Sequence, residues 1–162
     1  MRQIEPMTFS DLQFSYSQFF LYDAAIPPAC IWTERHSKQG FARRDGVVAV
    51  GTVLEFGFAA VTVVVDRPTE VQRYQRALAV PLHIRSGSLA IDGPEEARGV
   101  RKVPVATGFY RVTIGQNVLD DLREEVTIWL ERSDIPLARS ELLVVDEDLD
   151  PSEPLLETAD KP

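Results

Sequence analysis

The sequence predicts an all-β fold, an antiparallel β-sandwich with one or two short helices. Three features favour it: short apolar stretches that alternate or are rich in Val, Ile and Phe, turn residues between them, and little helical periodicity. With 162 residues, of which 44% are hydrophobic and 26% charged, the chain is long enough to bury one core. We therefore expect a single sandwich domain over residues 1–150.

The first elements are a strand and a helical turn. Residues 12–21 alternate between apolar and polar side chains, and the alternation changes phase after Tyr16, as in one strand with a bulge. Residues 33–39 are predicted to form one short helix, because Thr33 is a suitable N-cap and Gly40 a suitable stop.

The middle of the chain continues the strand pattern. Residues 47–65 are apolar enough to suggest a membrane span, but Glu55 at the centre would cost roughly 2.5–3.5 kcal/mol on insertion. The sequence therefore predicts two strands joined by a turn near residues 54–57. A further strand is expected at residues 74–84, and Pro81 favours an edge position for it.

The second half is predicted to consist of short strands and one helix. Asn117 is a candidate cap for a short helix that ends at Glu125. The strands are expected at residues 89–91, 100–105, 109–114, 126–130 and 141–145.

The charge is concentrated at the C-terminal end. The net charge is −8, and residues 141–162 hold eight acids against one base. This balance argues against a nucleic-acid binder or a protein attached to anionic lipid, since both need a basic face. Residues 151–162, which contain three prolines, are expected to form an acidic, mobile tail.

Cysteine usage and the N-terminus favour the cytoplasm. Cys30 is the one cysteine, which excludes an intramolecular disulfide and fits a reducing compartment. Residues 1–10 lack the features of a secretory signal. We expect a cytoplasmic protein, of unknown oligomeric state.

The sequence offers little for catalysis. It contains no Gly-rich phosphate loop, no His-x-x-x-His and no Cys-x-x-Cys motif. Cys30 together with His36 or His83 could supply a nucleophile and a base, but the simpler interpretation is a small core cysteine, a solvated His36 and an ordinary strand histidine. We therefore predict no enzyme activity and no cofactor.

Adjacent acids are expected to be solvated. The pairs are Glu95-Glu96, Asp120-Asp121 and Glu124-Glu125, and neighbours in sequence need not face each other as a catalytic acid and base would.

The acidic run after residue 145 has three interpretations. Asp146, Asp148, Asp150 and Glu157 match positions of a calcium-binding loop, but Pro151 stands where the sharp turn needs glycine, so we predict no metal site. A β-sandwich that binds calcium or a small ligand remains the alternative function. The other interpretations are a solubilising segment and an anionic surface for a basic protein.

An ordered series of short segments stands at residues 15–19, 27–28, 31–33, 40–42, 45–46, 80–84 and 108–113. Taken together in this order, these segments give the chain a resemblance to the competence protein J (ComJ) family. The resemblance implies a small cytoplasmic protein without catalysis that inhibits a nuclease, either a nuclease of DNA uptake or a nuclease toxin.

A nuclease inhibitor needs a surface for a basic partner. A nuclease presents cationic groups to the DNA backbone, and an acidic protein can occupy them. The candidate partner-binding residues in this sequence are Asp146, Glu147, Asp148 and Asp150, with Asp45 and Trp32 on the loops. A turn-forming role for Asp45 and a packing role for Trp32 are the structural alternatives.

Overall fold

The computed structural model describes residues 5–94 and 100–162, so the predicted Glu95-Glu96 pair lies outside the described residues. Its elements, in chain order, are β1 (Met7–Phe14), β2 (Gln18–Asp23), α1 (Glu34–Gln39), β3 (Phe41–Arg44), β4 (Val47–Gly51), β5 (Gly57–Val64), a 3₁₀ turn (Val71–Arg73), β6 (Arg76–Ile84), β7 (Ser88–Asp92), β8 (Arg101–Pro104), β9 (Gly108–Asp120), β10 (Arg123–Ser133) and β11 (Glu141–Val144).

The strands form two sheets, which confirms the predicted all-β sandwich. One sheet has the order β1-β5-β10-β9-β6-β11 and the other β3-β4-β2-β7-β8. Within the described part of the chain, β5 and β10 pair in parallel and the other paired strands are antiparallel. No helix formed by the described residues is long and apolar enough to cross a membrane.

The main core lies between the two sheets. Alternate residues of β5, Ala59, Val61 and Val63, are buried, as the period of two predicts. Strand β2 is buried on both faces: Phe19 and Leu21 belong to the main core, whereas its intervening aromatic residues belong to a second cluster with Cys30 and Ala42. The second cluster shows that the outer side of this sheet is also covered.

Residues 151–162 contribute to that cover, where the sequence led us to expect a mobile tail. Glu157 pairs with Arg43 at 2.9 Å and accepts a hydrogen bond from the Ser140 amide at 2.8 Å. The Ile31 amide donates to the carbonyl of Asp160 at 2.9 Å. The segment is docked because its polar groups find partners on β3 and near α1. The domain boundary at residue 150 stays a prediction.

The helix prediction is confirmed at both ends. The Thr33 hydroxyl accepts from the His36 amide at 3.4 Å, and the Thr33 amide donates to the His36 ring at 2.9 Å, which completes a capping box. Gly40 ends the helix in the left-handed conformation, with φ of 85°.

Two predicted elements in the N-terminal and C-terminal halves are wrong. Residues 12–21 are not one bulged strand: β1 and β2 belong to different sheets and a tight turn at residues 15–17 joins them. Residues 117–125 form no helix but the end of β9, a turn and the start of β10. The Leu122 amide donates to the Asp120 carboxylate at 2.9 Å, and this Asx turn favours the hairpin over a helix.

The edge position predicted for the strand with Pro81 is only partly right. Strand β6 pairs with β9 on one side and with β11 on the other, but β11 covers only the Ala77–Ala79 stretch. Pro81 lies beyond the end of β11, so β11 has no carbonyl at this position that would need the amide hydrogen that proline lacks.

Asp23 links the end of β2 to the turn after β6. Its side chain accepts the amides of Ala25 at 3.0 Å, Arg85 at 2.6 Å and Ser86 at 3.1 Å, and the residue is 1% exposed. Burial alone would raise the pKa of Asp23, but the hydrogen bonds outweigh it and lower the pKa from 3.8 to about 2.

We expect Asp23→Asn to lower the free energy of unfolding at neutral pH by about 1.5–3 kcal/mol, since an amide replaces a charged acceptor. The wild-type contribution is complete above the unfolded pKa near 3.8 and is lost as the pH falls through about 2. In urea unfolding experiments, the free energy of unfolding should therefore fall more steeply between pH 5 and pH 2 for the wild type than for Asp23→Asn. Parallel pH profiles would contradict this assignment.

Candidate functional site: a pocket beside Trp32

Asp146 is held inside the molecule and not presented to solvent. Its carboxylate lies 3.0 Å from the Arg76 guanidinium, and the two side chains are 8% and 4% exposed. Arg76 also donates to the carbonyl of Gly51 at 3.3 Å. The pair therefore fastens the segment after β11 to β4 and β6. The sequence suggested that Asp146 is an exposed binding residue, but the structure buries it in this ion pair.

The other three acids of the run are exposed. The Asp148 side chain is 65% exposed and its carboxylate lies 3.8 Å from the Arg76 guanidinium. Asp150 accepts hydrogen bonds from the amide and hydroxyl of Ser152, and these bonds lower the pKa of Asp150. Glu147 is exposed beside them. This stretch leaves three carboxylates accessible to a partner.

Trp32 and Asp148 open onto the same pocket. The pocket has a volume of about 320 Å³ and its walls include Tyr16, Gln18, Trp32, Thr52, Arg76 and Asp148. The Trp32 indole N–H donates to the Gln18 side-chain oxygen at 2.8 Å, which fixes the ring. We call this hollow the Trp32 pocket; it combines two candidates that are far apart in sequence.

Glu124 supports the rim of this end of the sandwich. Its side chain is completely buried and accepts the amides of Val53 at 3.2 Å and Leu54 at 2.8 Å. Burial raises the pKa of Glu124, although these hydrogen bonds oppose the shift. The expected solvation of Glu124 is wrong, because the carboxylate serves as the acceptor for the loop after β4.

Asp45 lies at the opposite end of β4. It precedes Gly46, whose φ is 77°, and pairs with Arg85 at 3.0 Å on the surface. A second hollow of about 240 Å³ lies beside it. Because β4 has five residues, Asp45 is separated from the Trp32 pocket by about 15 Å or more.

The residues considered for calcium binding are held by other protein groups, and Asp146 and Asp148 both lie near Arg76. Asp146 binds Arg76, Asp150 binds Ser152, and Glu157 binds Arg43 and Ser140. Burial would raise the pKa of Glu157, but the Ser140 and Arg43 contacts lower it. Among residues 5–94 and 100–162, no three His, Cys, Asp or Glu side chains are grouped so that they could hold a metal ion.

Cys30 and the histidines also have individual environments. Cys30 is buried, its thiol lies 3.7 Å from the Ala42 carbonyl, and burial raises its pKa. The expectation that His36 is solvated is wrong, because the residue is 3% exposed. One of its ring nitrogens accepts a hydrogen bond from the Thr33 amide, and the other donates to the Thr158 carbonyl at 3.0 Å. His83 packs on Phe109, with ring centroids 4.2 Å apart.

Comparison with protein families identifies the chain's relatives. The model for competence protein J (ComJ) matches residues 11–133. The chain belongs to the ComJ family. A comparison with curated proteins gives no match.

A solved structure supports the fold of this ComJ-family chain. The crystal structure of ComJ from Bacillus subtilis, described as an inhibitor of the DNA-degrading activity of NucA, is similar with a TM-score of 0.61 and 18% identity over 82% of this chain and 98% of the other. A structure described as crocagin biosynthetic gene J matches with a TM-score of 0.48 and 14% identity over 78% and 98% of the two chains.

The ComJ match covers only part of the Trp32 pocket. Trp32, Tyr16 and Arg76 lie inside the matched range, whereas Asp148 lies beyond its end at residue 133. Sequence reasoning missed Arg76 and Tyr16. In a strand, Arg76 shares a face with the apolar residues Leu78 and Val80, and a charge on that face is the signal that could have identified it as a buried ion-pair partner.

Proposed function

We propose that this ComJ-family chain is a non-catalytic protein inhibitor of a nuclease, which binds the nuclease and blocks its DNA-binding or active-site surface. The observation that carries the proposal is the family match over residues 11–133. The similar Bacillus subtilis protein is described as an inhibitor of NucA, which supports the same role for this chain.

The charge of the Trp32 pocket end supports a basic partner. Asp148 lines the pocket, and the exposed acids at positions 147 and 150 are close to it in sequence. Exposed carboxylates attract the cationic groups with which a nuclease holds DNA. Trp32 adds a fixed aromatic side chain, a residue type that often dominates binding energy at interfaces.

Two biological settings fit this inhibitor, control of a DNA-uptake nuclease and immunity to a nuclease toxin. Both place the inhibitor in the cytoplasm of the cell that makes the nuclease or receives it. The neighbouring reading frame is the most informative observation here, since a secreted nuclease encoded beside this chain would identify the partner.

The proposal is tested with the NucA-like nuclease of the source organism. The purified chain alone should leave plasmid DNA intact, and an equimolar amount should stop its degradation by the nuclease. Continued degradation at a large excess of the chain would overturn the proposed function.

Electrostatic steering gives a second test. We expect Glu147→Gln, Asp148→Asn and Asp150→Asn together to slow association with the nuclease severalfold at low salt, with a smaller effect on dissociation. The difference from wild type should shrink at high salt, because exposed charges are screened within about 8 Å at physiological ionic strength. Surface plasmon resonance measures both rates.

Asp45→Asn is the matched control for the steering test, since Asp45 is exposed at the far end of β4. It should leave the association rate near the wild-type value. A larger effect of Asp45→Asn than of the triple variant would place the interface at the opposite end.

A further inference from the structure

Three loops next to the Trp32 pocket expose large apolar side chains. Tyr16 in the β1–β2 turn is 75% exposed, Phe56 in the β4–β5 loop 60%, and Leu122 in the β9–β10 turn 48%. We call these three residues the three-loop patch. Val118 and Leu119, near the end of β9, are exposed as well. This end therefore holds five of the nine large apolar side chains exposed in the described ranges.

Hydrogen bonds between the loops make the patch one continuous unit. The Ser17 amide donates to the Glu55 carbonyl at 2.8 Å, and the Thr52 amide donates to the Ser17 carbonyl at 2.9 Å. The Phe58 amide donates to the Leu122 carbonyl at 2.8 Å. Because the loops fix each other, a partner that binds here need not order them, which lowers the entropic cost of binding.

The turn that carries Tyr16 is strained. Tyr16 and Ser17 have φ of 55° and 56°, the left-handed region that non-glycine residues avoid at a cost of about 1–2 kcal/mol each. Strain of this kind persists where the surrounding structure enforces it, and it is frequent at functional sites. Here it holds an exposed aromatic ring at the tip of the sandwich.

Charge selects the kind of partner for the patch. In sequence, Glu55 precedes Phe56, Asp120 and Asp121 precede Leu122, and Arg123 follows Leu122; all four charged residues are exposed. Acids in this position repel an anionic membrane and a second copy of the same surface, and they attract a protein with cationic side chains around an apolar recess.

We propose that the three-loop patch is the apolar anchor of the interface and inserts into the basic cleft of the nuclease. This inference rests on the proposed function and specifies the surface that performs it. The acids of positions 55, 120 and 121 surround the anchor as a polar rim, and the Trp32 pocket continues the same surface, since Tyr16 lines both.

The test replaces the anchor without disturbing the turns. Tyr16→Asn is compatible with the left-handed backbone at that position, and Phe56→Ser and Leu122→Ser remove exposed apolar groups. We expect the three substitutions together to raise the inhibition constant for the NucA-like nuclease at least about 100-fold. The melting temperature should stay near that of the wild type.

Ile135→Ser is the matched control. Ile135 is 66% exposed and follows the end of β10, about 30 Å or more along that strand from Leu122. Its substitution should leave the inhibition constant unchanged. If the triple variant does not fold, Tyr16→Asn alone tests the three-loop patch. We expect this single substitution to weaken inhibition about tenfold or more.

The possible outcomes separate the surface from the function. If the wild type inhibits and the folded triple variant inhibits equally well, the patch is not the anchor although the proposed function stands. If the wild type fails to inhibit, the proposed function fails and this inference with it. If the wild type is a dimer and the triple variant is a monomer, the patch binds a second copy of this chain and the inference is wrong.

Discussion

Replacing Asp146 with alanine is expected to lower the free energy of unfolding by about 3–5 kcal/mol, the usual cost of breaking a buried ion pair. The substitution leaves the Arg76 guanidinium almost fully buried without the carboxylate that lies 3.0 Å away. Chemical denaturation of the wild type and the Asp146→Ala variant measures the difference.

The control for this prediction is the double replacement Arg76→Leu with Asp146→Leu. Removing both charges avoids an uncompensated buried ion, so the double variant should be more stable than Asp146→Ala. Asp148→Ala should change stability by less than about 1 kcal/mol, because its exposed carboxylate is screened by solvent. A stability loss for Asp148→Ala as large as that for Asp146→Ala would contradict the assignment.

Glu124→Ala is expected to lower the free energy of unfolding by about 2–3 kcal/mol, since it leaves the half-buried amides of Val53 and Leu54 without their acceptor. The same loop carries Phe56, so inhibition of the nuclease should weaken as well. Denaturation and inhibition assays on one preparation measure both effects.

The neighbouring acid supplies the control for Glu124. Glu125 pairs with Arg73 at 3.2 Å, with both side chains at least one-third exposed, and Glu125→Ala should cost less than about 1 kcal/mol. Equal losses for the two variants would show that the Val53 and Leu54 hydrogen bonds do not determine the effect.

These two acids show where sequence reasoning ends. In sequence, Asp146 stands in an acidic run and Glu124 beside another acid, and both suggest solvated charges. Their burial depends on groups that only the fold brings near, Arg76 for one and the Val53 and Leu54 amides for the other. Residue type and local spacing carry no information on such contacts.

Elements that depend on residues close together in sequence could be predicted better than these buried contacts. The helix at α1 follows from a cap and a stop that act within one turn, and both are confirmed. The two strands within residues 47–65 follow from their apolar content and the turn between them, although the sequence did not reveal that they belong to different sheets. The turn at Tyr16 was missed because its left-handed residues are not glycine or asparagine.

Of the candidate site, sequence reasoning found the parts but not their arrangement. It selected Trp32 and Asp148 separately, and the fold brings them to one pocket. It also selected Asp45, which the length of β4 separates from that pocket. The three-loop patch could not be predicted, because exposed apolar residues resemble core residues in sequence until their loops are placed.

Amide hydrogen exchange of the chain with and without the NucA-like nuclease shows which end of the sandwich the nuclease covers. We expect the nuclease to slow exchange in the loops that carry Tyr16, Phe56 and Leu122 and in residues 146–150, while the turn at Asp45 exchanges as in the free chain. Protection at the Asp45 end with none in the three loops would contradict it.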